Sequence, residues 1–306
     1  MPLGPPAPAV TADLNLNLSM TPPPSLGLGL GLNRMVVGGG GFSFADSDAS
    51  TYAAALEGDG VSLSDDQKQA IDTFYTTGKS QGWYSSLARV YLPIWQQASA
   101  NSRCLVSGTQ GTFNGSIGHN AGYIDNPTYS GLMDTGDSIS AKGLSAGNRG
   151  FGFLQVAVDS QASKYPMGAA DFVNSVGHWS QQGGSNEFLF RYNHNQTPFV
   201  QSAGNSTGVR IYASIEVSGD TYLDDRTASG FNNVAFSSGG AALGVSPLVN
   251  DYLMALNLYF ASDNPFGHWG GRMGAAFYHS SSDSSFNQNF TLALKNLWET
   301  CTGLSF

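Results

Sequence analysis

Charge is scarce in this chain: Asp, Glu, Lys and Arg make up 11% of its 306 residues, against about 25% in an average soluble protein. Only 13 residues are Lys or Arg, and the formal net charge is −9. A nucleic-acid partner is therefore not expected, since binding one needs a basic stripe that releases counterions. Docking on an anionic membrane is disfavoured on the same ground. Long apolar runs are missing too; no stretch approaches the roughly 20 apolar residues of a bilayer span, so membrane insertion is not expected. No Lys or Arg stands near Met1, and prolines interrupt the early apolar residues. The ordinary secretory route is thus not expected, and release by lysis would suffice. Cysteine is nearly absent. Cys104 and Cys301 cannot build a disulfide framework, and two isolated buried thiols are favoured over a single bridge between them.

What fills the space is small and polar: 39 glycines with abundant Ser, Thr and Asn, a composition suited to β-rich proteins that work outside the cytosol. The first 41 residues stand apart. Met1-Pro-Leu-Gly-Pro-Pro-Ala-Pro, Thr21-Pro-Pro-Pro-Ser and Val36-Val-Gly-Gly-Gly-Gly41 combine donors removed by proline with the entropy cost of glycine, so no helix or separate core is expected there. Yet Leu14, Leu16 and Leu18 alternate with Asp13, Asn15 and Asn17, and Leu26, Leu28, Leu30 and Leu32 alternate with glycines. A period of two suits an extended segment laid onto the sheet edge or groove of another protein. These leucines are the candidate assembly contact.

Residues 42–100 read as a linker carrying one short helix. Ser64 caps that helix, with Gln67 at the capping-box position and Asp65 and Asp66 favouring its positive end. Ile71, Phe74 and Tyr75 form its apolar stripe, and Gly78 or Gly82 ends it. From Arg103 to about Ala276, short apolar stretches recur between turn-forming clusters. Val209, Ile211, Ala213, Ile215 and Val217 alternate with Arg210, Tyr212, Ser214, Glu216 and Ser218, the pattern of a half-buried strand. Ser218-Gly219-Asp220 reads as a tight hairpin turn into the next strand. A closing helix is expected from the spacing of Phe286, Phe290, Leu294, Leu297 and Trp298. The expected fold is mainly β: residues 101–306 as a jelly-roll β-sandwich, with one helix before it and one after, the two packing together at one end.

Five stretches carry a family resemblance: Leu63–Phe74, Val90–Val106, Phe113–Gly122, Gly219–Asp225, and Gly270-Gly-Arg-Met-Gly-Ala-Ala-Phe-Tyr-His-Ser-Ser-Ser-Asp283 onward to Leu297. Their order over residues 63–306 resembles tailed-phage virion proteins that carry a laminin-G-like or concanavalin-like jelly roll. The resemblance implies a virion-located fibre, knob, spike or decoration subunit, often trimeric. It does not extend to the arm. The expected partners are other virion proteins, reached through that arm, further copies of the chain, with a trimer favoured, and a cell-surface glycan. The alternatives are a capsid decoration or cement protein and, from another class, a secreted carbohydrate-active enzyme on the same fold.

No catalytic set is assigned, so the chain is read as a non-enzyme. Retaining glycosidases need two carboxylates about 5 Å apart, and the nearest candidates, Glu216, Asp220, Asp224 and Asp225, read better as solvated hairpin charges. His119, His178, His194, His268 and His279 are scattered without zinc-ligand spacing, so no metal is expected. Gly27-x-Gly-x-Gly lacks the helix that a phosphate cradle requires, and no cofactor is expected. Asp134-Thr-Gly-Asp137 and Asp224-Asp225 could offer oxygens to calcium but read better as turn aspartates. Sugars stack on aromatic faces, which makes His178-Trp179 and His268-Trp269, each beside amides or glycines, the candidate glycan contacts.

Overall fold

The computed structural model describes residues 41–138, 140–145, 148–159, 164–171, 178–181, 188–191, 199–201, 208–217, 220–237, 250–259, 263–283 and 285–306. The chain divides into two units, Met1–Gly41 and Phe42–Phe306. Leu14, Leu16, Leu18, Leu26, Leu28, Leu30 and Leu32 lie outside the described residues, as does His194.

The second unit opens on helix α1 (Ser47–Gly58), an additional helix within the stretch expected to be a linker with one short helix. Asp46 caps it, accepting from the Asp48 and Ala49 amides at 2.9 and 3.2 Å. Its buried face is Ala49, Tyr52, Ala53 and Leu56, at the i, i+3, i+4, i+7 spacing of one helical side. Helix α2 (Asp65–Ser80) carries the expected capping box: the Gln67 amide donates to Ser64 Oγ at 3.2 Å, and the Ser64 amide to Gln67 Oε1 at 2.9 Å. Asp72 of α2 then receives the Ala45 and Asp46 amides, which fixes how the chain enters α1. A four-residue helix, α3 (Ala98–Asn101), precedes the main β region. The closing helix α4 (Phe286–Thr302) buries the full expected set of Phe286, Phe290, Leu294, Leu297 and Trp298, and ends at Gly303 with φ +70°.

The strands form two sheets. Sheet one contains β1 (Leu87–Tyr91), β3 (Gly118–Asn120), β4 (Tyr123–Asp125), β6 (Asn148–Ala157), β11 (Arg210–Val217), β12 (Asp220–Thr227), β13 (Gly230–Ser237) and β17 (Arg272–His279). Its order is β13-β12-β11-β6-β17-β4-β3, with β1 also paired to β17. Sheet two contains β2 (Thr112–Asn114), β5 (Leu132–Ser138), β7 (Lys164–Asp171), β8 (His178–Gln181), β9 (Phe188–Arg191), β10 (Phe199–Gln201), β14 (Asn250–Leu253), β15 (Leu256–Tyr259) and β16 (Asp263–Phe266). The order there is β10-β9-β8-β7-β14-β5-β2, and β15 pairs with both β7 and β16. Chain neighbours β5 and β6, and likewise β13 and β14, belong to different sheets. This crossing of connections between two layers, antiparallel except where β15 runs parallel to β7, makes the body a jelly-roll β-sandwich. Val217 lies opposite Asp220 in the β11–β12 pair, so these strands form a hairpin, as expected.

The helices lie on a face of sheet one rather than at an end of the sandwich. Ile211, Ala213, Ile215, Leu154, Ala275 and Phe277 pack in one core with α1, α2 and α4. Strand neighbours that alternate with them, among them Tyr212, Phe153, Phe151, Ala276 and Tyr278, pack with Met133, Met167 and Leu253 of sheet two. Residues 211–216 are consequently all buried, which corrects the half-buried reading of β11: its polar side faces the interior between the sheets. Two glycines make the helix-facing contact possible. A Cβ on Gly152 would overlap the Phe277 ring, and one on Gly150 would overlap His279, so glycine here marks a close approach across the strand. Cys104 and Cys301 are separate buried thiols, one in each core.

Phe290 lies at the centre of the helix-side core, with ring centroids 4.8 Å from Phe277, 5.4 Å from Phe286 and 5.6 Å from Trp83. Phe290→Ala is expected to lower unfolding free energy by about 3–5 kcal/mol in urea denaturation. Leu292→Ala, two residues on and 47% exposed, should change it by no more than about 0.5 kcal/mol. Equal effects from the two would contradict the placement of α4.

Candidate functional site

The two His-Trp pairs of the sequence come to the same strand. His178 and Trp179 lie in β8, registered with Gly168 and Met167 of β7, and their side chains lie outside the described residues. His268 forms a bridge to Tyr165 of β7 and is half-buried, with Nδ1 2.9 Å from the Gly131 carbonyl. Trp269 is fully buried. Its ring stands edge-on to Phe153 with centroids 5.8 Å apart, and its amide donates to the Met254 carbonyl at 2.8 Å. This corrects its assignment as a glycan contact, because no ring face is open to a sugar. The glycines that suggested an exposed loop have another role: a Cβ on Gly271 would overlap the Trp269 ring, and one on Gly270 would lie 2.5 Å from Tyr129. Gly271 admits the Trp269 ring to the core, and Gly270 makes room for the half-buried Tyr129 ring.

The acidic residues considered for glycoside hydrolysis are separated by the sheet. Glu216 faces the interior and forms an ion pair with Arg149 at 2.6 Å, with both side chains buried. Asp225 binds Arg210 at 2.8 Å and accepts from Asn232 Nδ2 at 2.8 Å. Asp224 points the other way, under α4, and accepts from Asn287 Nδ2 at 2.7 Å. Burial pushes its carboxyl up to about 6, and the Asn287 hydrogen bond offsets only part of the shift. Beside Asn287, His279 stacks on Phe286 at 4.0 Å between centroids, and burial drives its imidazole down to about 3. The reading of Glu216, Asp224 and Asp225 as solvated hairpin charges is therefore corrected: sheet one is covered on both faces, and each carboxylate has a partner. Asp137, read from the sequence as a turn aspartate, lies in strand β5 and pairs with Arg89 at 2.6 Å.

A pocket of about 350 Å³ opens elsewhere, between α1, α2 and the turn at 103–108. Tyr52, Tyr75 and Leu105 form its buried floor, and Asp48, Thr51 and Arg103 stand at its rim. Arg103 is held by a two-pronged bond to Asp59, at 2.7 and 2.9 Å, and the Tyr75 hydroxyl donates to the Leu105 carbonyl. Burial raises the Tyr52 phenol well above its ordinary value, so it stays protonated as a donor. The sequence offered no sign of this pocket, since its walls come from three separated segments.

No family model matches the chain, and no curated protein matches it in sequence. Among solved structures it is similar to domain 4 of AbnA, a GH43 extracellular arabinanase from Geobacillus stearothermophilus, in complex with arabinotriose. That match has 12% identity and a TM-score of 0.48, and covers 68% of this chain and 98% of that one. It is also similar to the CBM40 of Ruminococcus gnavus IT-sialidase bound to α2,3-sialyllactose, at 11% identity and a TM-score of 0.39, covering 60% and 97%. A third is the exoplasmic/lumenal domain of VIP36 in its Ca2+/Man2-bound form, at 6% identity and a TM-score of 0.38, covering 64% and 89%.

The buried Asp224 gives a pH signature. Its folded value is raised, so the folded state binds more protons between about pH 4 and 6, and stability from this group falls as pH rises through that window. Asp224→Asn should therefore gain about 3 kcal/mol relative to wild type on going from pH 4 to pH 7, read by urea denaturation at both values. His279 acts in the opposite direction, because its lowered value makes stability rise with pH. An equal effect of the substitution at both pH values would contradict a neutral buried Asp224.

Proposed function

We propose that this protein is a structural component of a phage particle, tethered through its N-terminal arm and presenting a jelly-roll body that acts by binding. The observation that carries this reading is the division of the chain at Gly41. Phe42–Phe306 is a unit in itself, with cores assembled from residues that run from Ala49 to Cys301. The preceding arm combines prolines, glycines and alternating leucines, a sequence suited to joining a partner's sheet edge rather than building a core. The resemblance of residues 63–306 to tailed-phage virion proteins supports the particle as the setting. Leu14, Leu16, Leu18, Leu26, Leu28 and Leu30 are the contacts of the tether, and the bodies gather as a homo-oligomer, with three copies favoured. A cell-surface glycan is the ligand class for the body. With Trp269 in the core, His178 and Trp179 of β8 and the half-buried His268 are the remaining residues of the aromatic pairs to test for it.

Removing Met1–Gly41 should leave a soluble body with an unchanged melting temperature that no longer appears in purified particles. Leu14→Ser, Leu16→Ser and Leu18→Ser combined in the full chain should give the same loss. Particles that incorporate the truncated protein at the normal level would show that the arm is not the tether.

A further inference from the structure

Between the sheets, a lysine and an aspartate from distant parts of the chain meet without the bonding expected of a buried ion pair. Lys142 lies in the turn after β5, and Asp251 in β14, the strand paired to β5. The pairing is irregular there: Asn250 registers with Ser138 and Tyr252 with Asp134, so three residues of β5 oppose Asp251 alone. Gly136, with φ +75°, lets β5 make this bulge, a device that re-aims side chains. The result carries the Lys142 amine into the interior, where neither side chain has any exposed surface.

Lys142 Nζ donates to the Asp137 carbonyl at 2.6 Å and to Thr135 Oγ1 at 3.0 Å, both neutral acceptors. Its distance to Asp251 Oδ2 is 3.8 Å, well beyond the roughly 2.7–2.9 Å of a charge-assisted hydrogen bond. Neither oxygen of Asp251 receives a well-formed hydrogen bond, although the Tyr278 hydroxyl and the Tyr252 amide lie against the carboxyl group. A buried carboxylate left this way would be costly. The surroundings are dry and aromatic: Lys142 Nζ lies 4.9 Å from the Tyr278 ring centroid, and Tyr278 packs edge-on against Phe151 at 5.6 Å. Burial acts on both groups in the direction of neutrality, bringing the lysine down to about 8 and the aspartic acid up to about 6. With these values the ion pair predominates near neutral pH, and transfer of one proton from Lys142 Nζ to Asp251 Oδ2 across 3.8 Å supplies the neutral amine and neutral carboxyl group that, held together by packing, are a reactant pair for amide formation.

We propose that Lys142 and Asp251 form an intramolecular isopeptide bond. The Nζ lone pair attacks Cγ of the protonated Asp251 carboxyl, the new C–N bond forms, and the C–O bond to the hydroxyl breaks. That hydroxyl leaves as water with a proton from the nitrogen, so the step needs no oxidant, reductant or further reactant. The Tyr278 hydroxyl is placed to donate to the oxygen that gains charge during attack. The product is an uncharged amide that removes both buried ionisable groups and covalently ties the turn after β5 to β14. This site is independent of the arm and of any ligand of the body.

The test is the intact mass of the purified full chain under denaturing conditions. The protein is expected to be lighter than its sequence by one water molecule, and proteolysis should release a branched peptide joining the segments around residues 142 and 251. Lys142→Arg and Asp251→Ala should each restore the mass calculated from their own sequences. A folded wild-type protein with the unmodified sequence mass would overturn the proposal. So would a water loss that persists in Asp251→Ala, which would place the dehydration elsewhere.

Discussion

Sheet one is covered on both faces, and the rest of the body follows from that constraint. Its central strands β6, β11 and β17 lie between the methionine-rich inner face of sheet two and the helical layer of α1, α2 and α4. A strand in that position has no wet side, so a polar group it carries has only the protein itself to bond with. Ser214 shows how this is met: its hydroxyl donates to the Phe151 carbonyl at 3.0 Å and accepts from the Phe151 amide at 3.1 Å. Arg149 and Glu216 meet across the same strand pair, directly opposite in register. Because a buried ion pair contributes little net stability but is expensive to break, its effect is to penalise any other alignment of β6 with β11.

The helical layer is locked to itself by similar economy. The Gln67 side chain closes the capping box of α2 through Oε1 and donates from Nε2 to the Cys301 carbonyl of α4 at 2.8 Å. Lys79 joins α2 to the start of α1 through Asp46 and Asp48, at 2.7 Å each. On the sheet side, Arg226 of β12 donates to Thr291 Oγ1 and the Gln288 carbonyl, and the Trp298 indole donates to the Gly122 carbonyl at 2.9 Å. Helices and sheet one thus share polar contacts as well as an aromatic core.

Local signals in the sequence were legible where they were self-contained. The box at Ser64 and Gln67 and the aromatic spacing from Phe286 to Trp298 needed no knowledge of the fold, and both helices stand where those signals put them. Helix α1 escaped because two of the four residues of its buried face are alanines, so its periodicity carries little hydrophobic contrast. The alternation in β11 was plain, but alternation cannot say what covers the second face; a helical layer from both ends of the chain does so here. Gly270 and Gly271 beside Trp269 were misleading for a related reason, since glycine serves a loop and a close ring contact equally well. The pocket under α1 and the Lys142–Asp251 meeting were invisible, because each assembles from segments far apart in the chain.

Native-state hydrogen exchange along β6, β11, β17 and α4 tests the double covering of sheet one most directly. If the helical layer and the central strands form one cooperative unit, the amides of α4 and those of the three strands should exchange only through the same highest-energy opening. Their opening free energies should then agree and shift together when a single core contact such as Phe290 is weakened. Exchange of α4 through a separate, lower-energy opening, with the strands still protected, would contradict the account.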